Sequence, residues 1–173
     1  MNKNQHEQTR KLTVTALLTA FTTVATLLIQ IPSPTKGYLN LGDCLVNISA
    51  WILGPINGAA AAGIGSAMAD MISGYAVYVP FTLVIKALMA VISYYLYKAL
   101  SRKANTILAR ITAASVAEVV MILGYAVCAA ILHGSIASAF ISIPSNLVQG
   151  IMGAASSVMI YELVIKRIPN FRN

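Results

Sequence analysis

The chain has 173 residues, of which 58% are hydrophobic and only 10% charged, and it carries a formal net charge of +7. A soluble globular domain carries about 25% charged residues, so this chain has too little polar surface to coat a body in water. The positive charge does not point to nucleic acid, because the basic residues cluster between and outside long apolar blocks, as they do around membrane helices.

The first apolar block occupies residues 11–31 and follows Lys3, Arg10 and Lys11. It lacks a small-residue cleavage site and reads as a retained helix, not a signal peptide. Ile31-Pro-Ser-Pro-Thr-Lys-Gly37 ends it, since two prolines and a glycine cannot continue a helix. A second helix is predicted over 41–54, short for a full span. The turn Gly54-Pro55-Ile56-Asn57-Gly58 leads to a third over 57–73, whose Gly and Ala content suits tight packing within a bundle. Residues 74–80 form a connection. A fourth helix covers 80–98 and a basic loop follows, in a stretch carrying Lys98, Arg102, Lys103 and Arg110. The fifth helix spans 107–132 and ends at His133-Gly134-Ser135. The sixth spans 137–166, with Pro144 placed in its first turns, and Lys166, Arg167 and Arg172 mark its end.

These blocks predict an all-α integral membrane protein: one domain, residues 1–173, folded as a bundle of six transmembrane helices. Blocks near 20 apolar residues match about 30 Å of hydrocarbon. Six crossings put all three basic clusters on one side, which the positive-inside rule makes the cytoplasm, so both termini are expected there. No internal repeat is visible, which argues against a transporter built from symmetric halves.

The polar residues inside the apolar blocks carry the functional expectation. An ionisable group at mid-membrane costs about 2.5–3.5 kcal/mol on insertion scales and therefore has a partner or lines a wet cavity. Asp43, Asp70, Lys86 and Glu118 are such groups, joined by Asn47, Asn146 and Gln149. Asp43 and Asn47 are four apart and share a helix face. Ser142, Asn146, Gln149 and Gly153 form a stripe on the sixth helix, and Glu118 aligns with Tyr125 on the fifth. Counted along the helices, most of this polarity falls in the outer half. That predicts a pocket open to the outside, with Trp51, Tyr75, Tyr78 and Tyr125 as candidate aromatic walls. The competing structural reading pairs Lys86 with Asp70 or Glu118 simply to hold helices together. The first helix has no ionisable residue beyond Lys11 but carries Ala16 and Ala20, a small-xxx-small face on which another helix can dock. Cys44 and Cys128, with His6 and His133, show no metal-ligand spacing. A disulfide between the cysteines is allowed but not indicated.

A small bundle with these features resembles the substrate-binding S component of an energy-coupling factor (ECF) transporter. The resemblance rests on Gly37-Tyr-Leu-Asn-Leu-Gly-Asp43, Leu53-Gly-Pro-Ile-Asn-Gly-Ala59, Gly63-Ile-Gly-Ser-Ala-Met-Ala-Asp70, Ser73-Gly-Tyr75 with Pro80, and Pro144-Ser-Asn-Leu-Val-Gln149-Gly. These look similar to the subgroup for riboflavin, pyridoxine or hydroxymethylpyrimidine and cover nearly the whole chain. The resemblance implies a vitamin-capture subunit in the plasma membrane of a bacterium, gated by the loop after the first helix. It implies docking, through Ala16 and Ala20, on an EcfT-like transmembrane coupling protein that sits on two EcfA-like ATPases. No cofactor is expected, and no catalysis by this chain, which lacks a Walker-type loop. A His directly after Met1, used by metal-specific relatives, is replaced by Asn2. The expected ligand contacts are Asn40, Asp43, Asn47, Asp70, Tyr75, Tyr78, Lys86, Glu118, Tyr125, Asn146 and Gln149. The expected ligand is vitamin B6 or hydroxymethylpyrimidine, then riboflavin. The alternative is a stand-alone secondary transporter, proton-coupled through Glu118 or Asp70.

Overall fold

The structure, a computed structural model, describes residues 3–33, 38–103 and 105–168. Residues 34–37, which carry part of the predicted break after the first helix, and Arg172 lie outside that description. The element order is α1 (Lys3–Leu28), β1 (Ile31–Pro32), β2 (Tyr38–Leu39), α2 (Gly42–Ile72), α3 (Val79–Leu100), α4 (Thr106–His133) and α5 (Ile136–Leu163), then a 3-10 turn over Ile165–Arg167. Among the described residues, five helices are long and apolar enough to cross a membrane. The chain is an integral membrane protein with an all-helical bundle.

The predicted second and third helices are a single element, α2, broken at Gly54. There the backbone takes φ 81° and ψ −175°, a conformation essentially reserved for glycine, and Pro55 follows it. The break is a reversal. A methyl group on Gly58 would lie 2.8 Å from the Ala50 Cα, whereas residues eight apart in a continuous helix are about 12 Å apart. The first arm, 42–53, is about 18 Å long, too short to span alone. It runs down the middle of the bundle, with Val46, Ala50 and Trp51 buried, and α2 packs against α1, α3 and α5.

Helix α1 begins eight residues before the predicted start. The prediction opened the helix where charge stops, but nothing in Gln5–Arg10 breaks a helix, and Thr9 Oγ1 already donates to the Gln5 carbonyl at 2.8 Å. Its inner face is a row of threonines, Thr22, Thr23 and Thr26, all buried. Thr23 Oγ1 donates at 2.9 Å to the Gly65 carbonyl of α2, where the absence of a side chain lets the two backbones meet. The Gly and Ala run of α2 thus packs within the bundle. Pro144 is not in the first turns of its helix. Because α5 starts at Ile136, Pro144 lies more than two turns inside, and its missing N–H leaves the Phe140 carbonyl without the usual helical donor.

At the end of the bundle where α3 stops and α4 begins, Arg110 is buried at 3% exposure. Its guanidinium lies 3.8 Å from the Tyr161 ring centroid, 4.7 Å from that of Tyr97 and 5.9 Å from that of Trp51. It donates to the Tyr97 hydroxyl at 2.8 Å and pairs with Glu162. Trp51, expected as a pocket wall, therefore belongs to a cluster at the far end. Arg110, read in sequence as one of the basic residues of a solvated loop region, is a core residue there.

Candidate functional site

The opposite end of the bundle, where α3 and α5 begin, holds a cleft of about 540 Å³ including the part open to solvent. The β1–β2 hairpin, paired Ile31 with Leu39 and Pro32 with Tyr38, lies over it. The hairpin is tethered on both flanks. Gln30 Nε2 donates to Ser73 Oγ at 2.7 Å and Ser33 Oγ meets Ser145 Oγ at 3.0 Å. On the far side the Asn40 backbone N–H donates to Gln149 Oε1 at 3.0 Å.

One wall is aromatic. Tyr38 and Tyr75 are tilted rings with centroids 4.9 Å apart, Tyr75 and Tyr78 follow at 6.3 Å, and Tyr125 closes the side formed by α4. Tyr125 and Thr82 share a hydroxyl–hydroxyl bond of 2.9 Å. The other wall is the stripe Ser142, Ser145, Asn146 and Gln149 of α5. Asp70, at the end of α2, supplies the carboxylate, and its Oδ1 accepts from the Tyr38 hydroxyl at 2.6 Å. Burial first, and then the Asp70 charge and hydrogen bond, raise the Tyr38 pKa above the ordinary phenol value, so the hydroxyl stays protonated and donates. Among the described residues that line the cleft there is no lysine, arginine or histidine.

Of the predicted ligand contacts, Asn40, Asp70, Tyr75, Tyr78, Tyr125, Asn146 and Gln149 line this cleft. Asp43, Asn47, Lys86 and Glu118 do not. They form a buried polar network behind Gln149. Lys86 Nζ forms an ion pair with Asp43 Oδ1, with both side chains 2% exposed or less, so its partner is neither Asp70 nor Glu118. The reason is the α2 reversal, which lays the short first arm beside α3. Gln149 Nε2 donates to the other Asp43 oxygen at 2.6 Å. Asn47 Nδ2 donates to Glu118 Oε1 at 3.1 Å, and Ser93 Oγ donates to Asn47 Oδ1 at 2.8 Å. Glu118 Oε2 is buried without a hydrogen-bond partner. Cys44 and Cys128 are both free and buried.

Sequence reasoning did not place Ser33, Tyr38, Thr82 and Ser145 in the site. Thr82 carried a usable signal, since it precedes Lys86 by four on the inner face of α3. Ser33 and Tyr38 carried none, because hairpin pairing across a proline-rich break has no periodicity to read.

The bundle and its roofed, tyrosine-lined polar cleft define a membrane protein built to capture a small ligand. Residues 6–166 match the model of the ECF-type riboflavin transporter S component, and the chain belongs to that family. An uncharacterized protein in the gap 3′ region of Pyrococcus woesei is 37% identical over 132 residues, covering 76% of this chain and 85% of the relative. A solved structure, described as "Structure and mechanism of the S component of a bacterial ECF transporter", superposes with a TM-score of 0.69 at 21% identity. The match covers 92% of this chain and 97% of that one, and it is a likeness of fold. The family is a transporter component and not an enzyme.

Proposed function

We propose that the chain captures an unphosphorylated, planar nitrogen-heteroaromatic vitamin in the tyrosine-lined cleft and hands it to an EcfT-like coupling protein driven by two EcfA-like ATPases. The carrying observation is the lining itself: four tyrosines face a stripe of amides and hydroxyls with one carboxylate, under a hairpin roof. Tyrosine faces stack on a flat ring, while Asn, Gln and Asp pair with its ring nitrogens and hydroxyls. Riboflavin is the first reading, supported by the family model. Pyridoxine or hydroxymethylpyrimidine is the second, favoured by the closeness of Tyr38, Tyr75 and Asp70, which suits a single ring.

In this reading the α2 reversal makes six membrane passes of five helices. The termini and the stretch around Lys98, Arg102 and Lys103 then share the cytoplasmic side of the cell membrane, and the cleft opens outward. Ala16 and Ala20 are exposed on α1, beside exposed Leu17, Phe21 and Val24. They supply the face for the coupling protein.

The test is equilibrium binding of riboflavin, pyridoxine and hydroxymethylpyrimidine, each with and without its phosphate, to the purified subunit without ATP. One unphosphorylated form should bind at sub-micromolar concentration. Its phosphate ester should bind at least about tenfold more weakly, since the described lining offers a dianion the Asp70 carboxylate and no cation. An empty protein across the panel, checked by native mass spectrometry, would refute the assignment.

A further inference from the structure

We infer that the ligand of this cleft carries a basic nitrogen on its flat ring, that this nitrogen is protonated in the complex, and that Asp70 Oδ2 reads its cationic N–H edge. The inference rests on the capture function proposed above and narrows its ligand. It selects pyridoxine or hydroxymethylpyrimidine over the uncharged riboflavin.

Most polar groups of the cleft are already committed to one another. Gln149 donates to Asp43 Oδ2 and accepts from the Asn40 N–H, so both ends of its amide are held. The Ser33 and Ser145 hydroxyls bond each other at 3.0 Å, and the Ser142 hydroxyl donates to the Ala139 carbonyl at 2.7 Å. Thr82 faces the Asp70 carboxylate, but its hydroxyl bonds Tyr125 at 2.9 Å. Asp70 differs. Its Oδ1 accepts from the Tyr38 hydroxyl, whereas its Oδ2 has no hydrogen-bond partner among the described residues, in a residue only 6% exposed. A carboxylate oxygen only accepts, so the ligand group that meets it is a donor.

Charge decides which donor. A buried carboxylate is costly unless a positive charge accompanies it. Lys86 is spent on Asp43, and the described lining of the cleft brings no cation of its own. The aromatic wall favours the same sign. Tyr75 and Tyr78 stand edge to face with centroids 6.3 Å apart, and the face of a tyrosine ring attracts a cation. A protonated pyridine nitrogen, or the amino edge of a protonated aminopyrimidine, combines the flat ring, the positive charge and the N–H donor. A flavin brings an N–H at its edge but no charge. Asn146 also lines the cleft, and its amide both donates and accepts, so it contributes to binding without selecting charge.

The test uses pairs of compounds that differ in the basic nitrogen. The full chain in detergent is titrated calorimetrically with hydroxymethylpyrimidine and its uncharged 4-oxo analogue, with pyridoxine and its benzene analogue, and with riboflavin. In one pair the base should bind at least about tenfold more tightly than its analogue, because a charge-assisted bond replaces a neutral or missing one. Asp70→Asn keeps the shape and removes the charge, and should cut that ratio to about threefold or less. Asn146→Ala should weaken both members of the pair and leave the ratio unchanged. Equal binding of base and analogue to the unaltered protein overturns the inference, whether or not Asp70→Asn folds, and so does a ratio that survives Asp70→Asn. Riboflavin bound more tightly than either base overturns it and leaves the capture function standing. If no compound of the panel binds, the capture function fails and the inference falls with it.

Discussion

Replacing Lys86 with Met gives the sharpest test of how this bundle is held. Lys86 is 2% exposed and pairs with Asp43, which is fully buried. The methionine fills most of the lysine's space but removes the cation paired with the Asp43 carboxylate, leaving it with the Gln149 amide as its side-chain donor among the described residues. Breaking a buried pair from one side costs about 3–5 kcal/mol, because the surviving charge stays desolvated. At about 2–4 °C per kcal/mol for a chain of this size, the unfolding midpoint in detergent should fall by about 6–20 °C. Ligand affinity should fall as well, since Gln149 also holds the Asn40 backbone at the foot of the roof. The double variant Asp43→Asn with Lys86→Met removes both charges and keeps an oxygen for Gln149. It should recover at least half of the lost stability, because neutral replacements of a buried pair are often tolerated. Thermal unfolding followed by circular dichroism or dye binding reads both variants. A loss under 1 kcal/mol for Lys86→Met, or a double variant as unstable as the two single losses added together, would show that the pair is not a mutual neutralisation and would refute the reasoning.

Three further outcomes follow from the geometry. Gly54→Ala forces a side chain into a backbone region nearly closed to it and should cost about 1–3 kcal/mol, read as a lowered unfolding midpoint. No midpoint shift would mean the reversal is not set there. Arg110→Met should destabilise by about 2 kcal/mol through loss of its stacking and charged hydrogen bonds, while Glu162 keeps Lys166 at 2.9 Å. Vitamin affinity should not change, because the cluster is at the other end of the bundle, and a tenfold affinity change would contradict that separation. Ala16→Leu or Ala20→Leu should abolish uptake in cells carrying the complete transporter while leaving vitamin binding to the isolated subunit intact. Uptake at the unaltered rate would remove those positions from the docking face.

The membrane character and most of the cleft were legible in the sequence because they rest on local patterns. Apolar block length located the helices, and the spacing of Ser142, Asn146 and Gln149 put them on one face, where the structure lines them along the cleft. What was not legible depends on how separate elements come together. Asp70, Glu118 and Asp43 were equally plausible partners for Lys86 by depth. Only the reversal at Gly54, which lays the short arm of α2 beside α3, selects Asp43. Arg110 carried the signature of a cytoplasmic charge, and its burial follows from three aromatic residues on three different helices meeting around it. Tyr38 follows a proline-rich break with no periodicity, so nothing local told that it crosses the cleft to Asp70.

A bundle in lipid has little hydrophobic force to distinguish one apolar helix face from another, so the choice of neighbours must come from shape and from polar pairing. Here both are concentrated on the first arm of α2. Gly153 faces it so closely that a methyl group there would lie 2.7 Å from the Asp43 Cβ, and Asp43 and Asn47 reach α3, α4 and α5 through Lys86, Glu118, Ser93 and Gln149. Any other rotation or register of these helices strands at least one charge in hydrocarbon, at a cost of several kcal/mol. The same network ends at Gln149, whose carbonyl oxygen fixes Asn40 two residues beyond Tyr38. The polar core therefore has two consequences from one cause. It selects the packing of the helices, and through the Gln149–Asn40 bond it fixes the foot of the roof to the bundle.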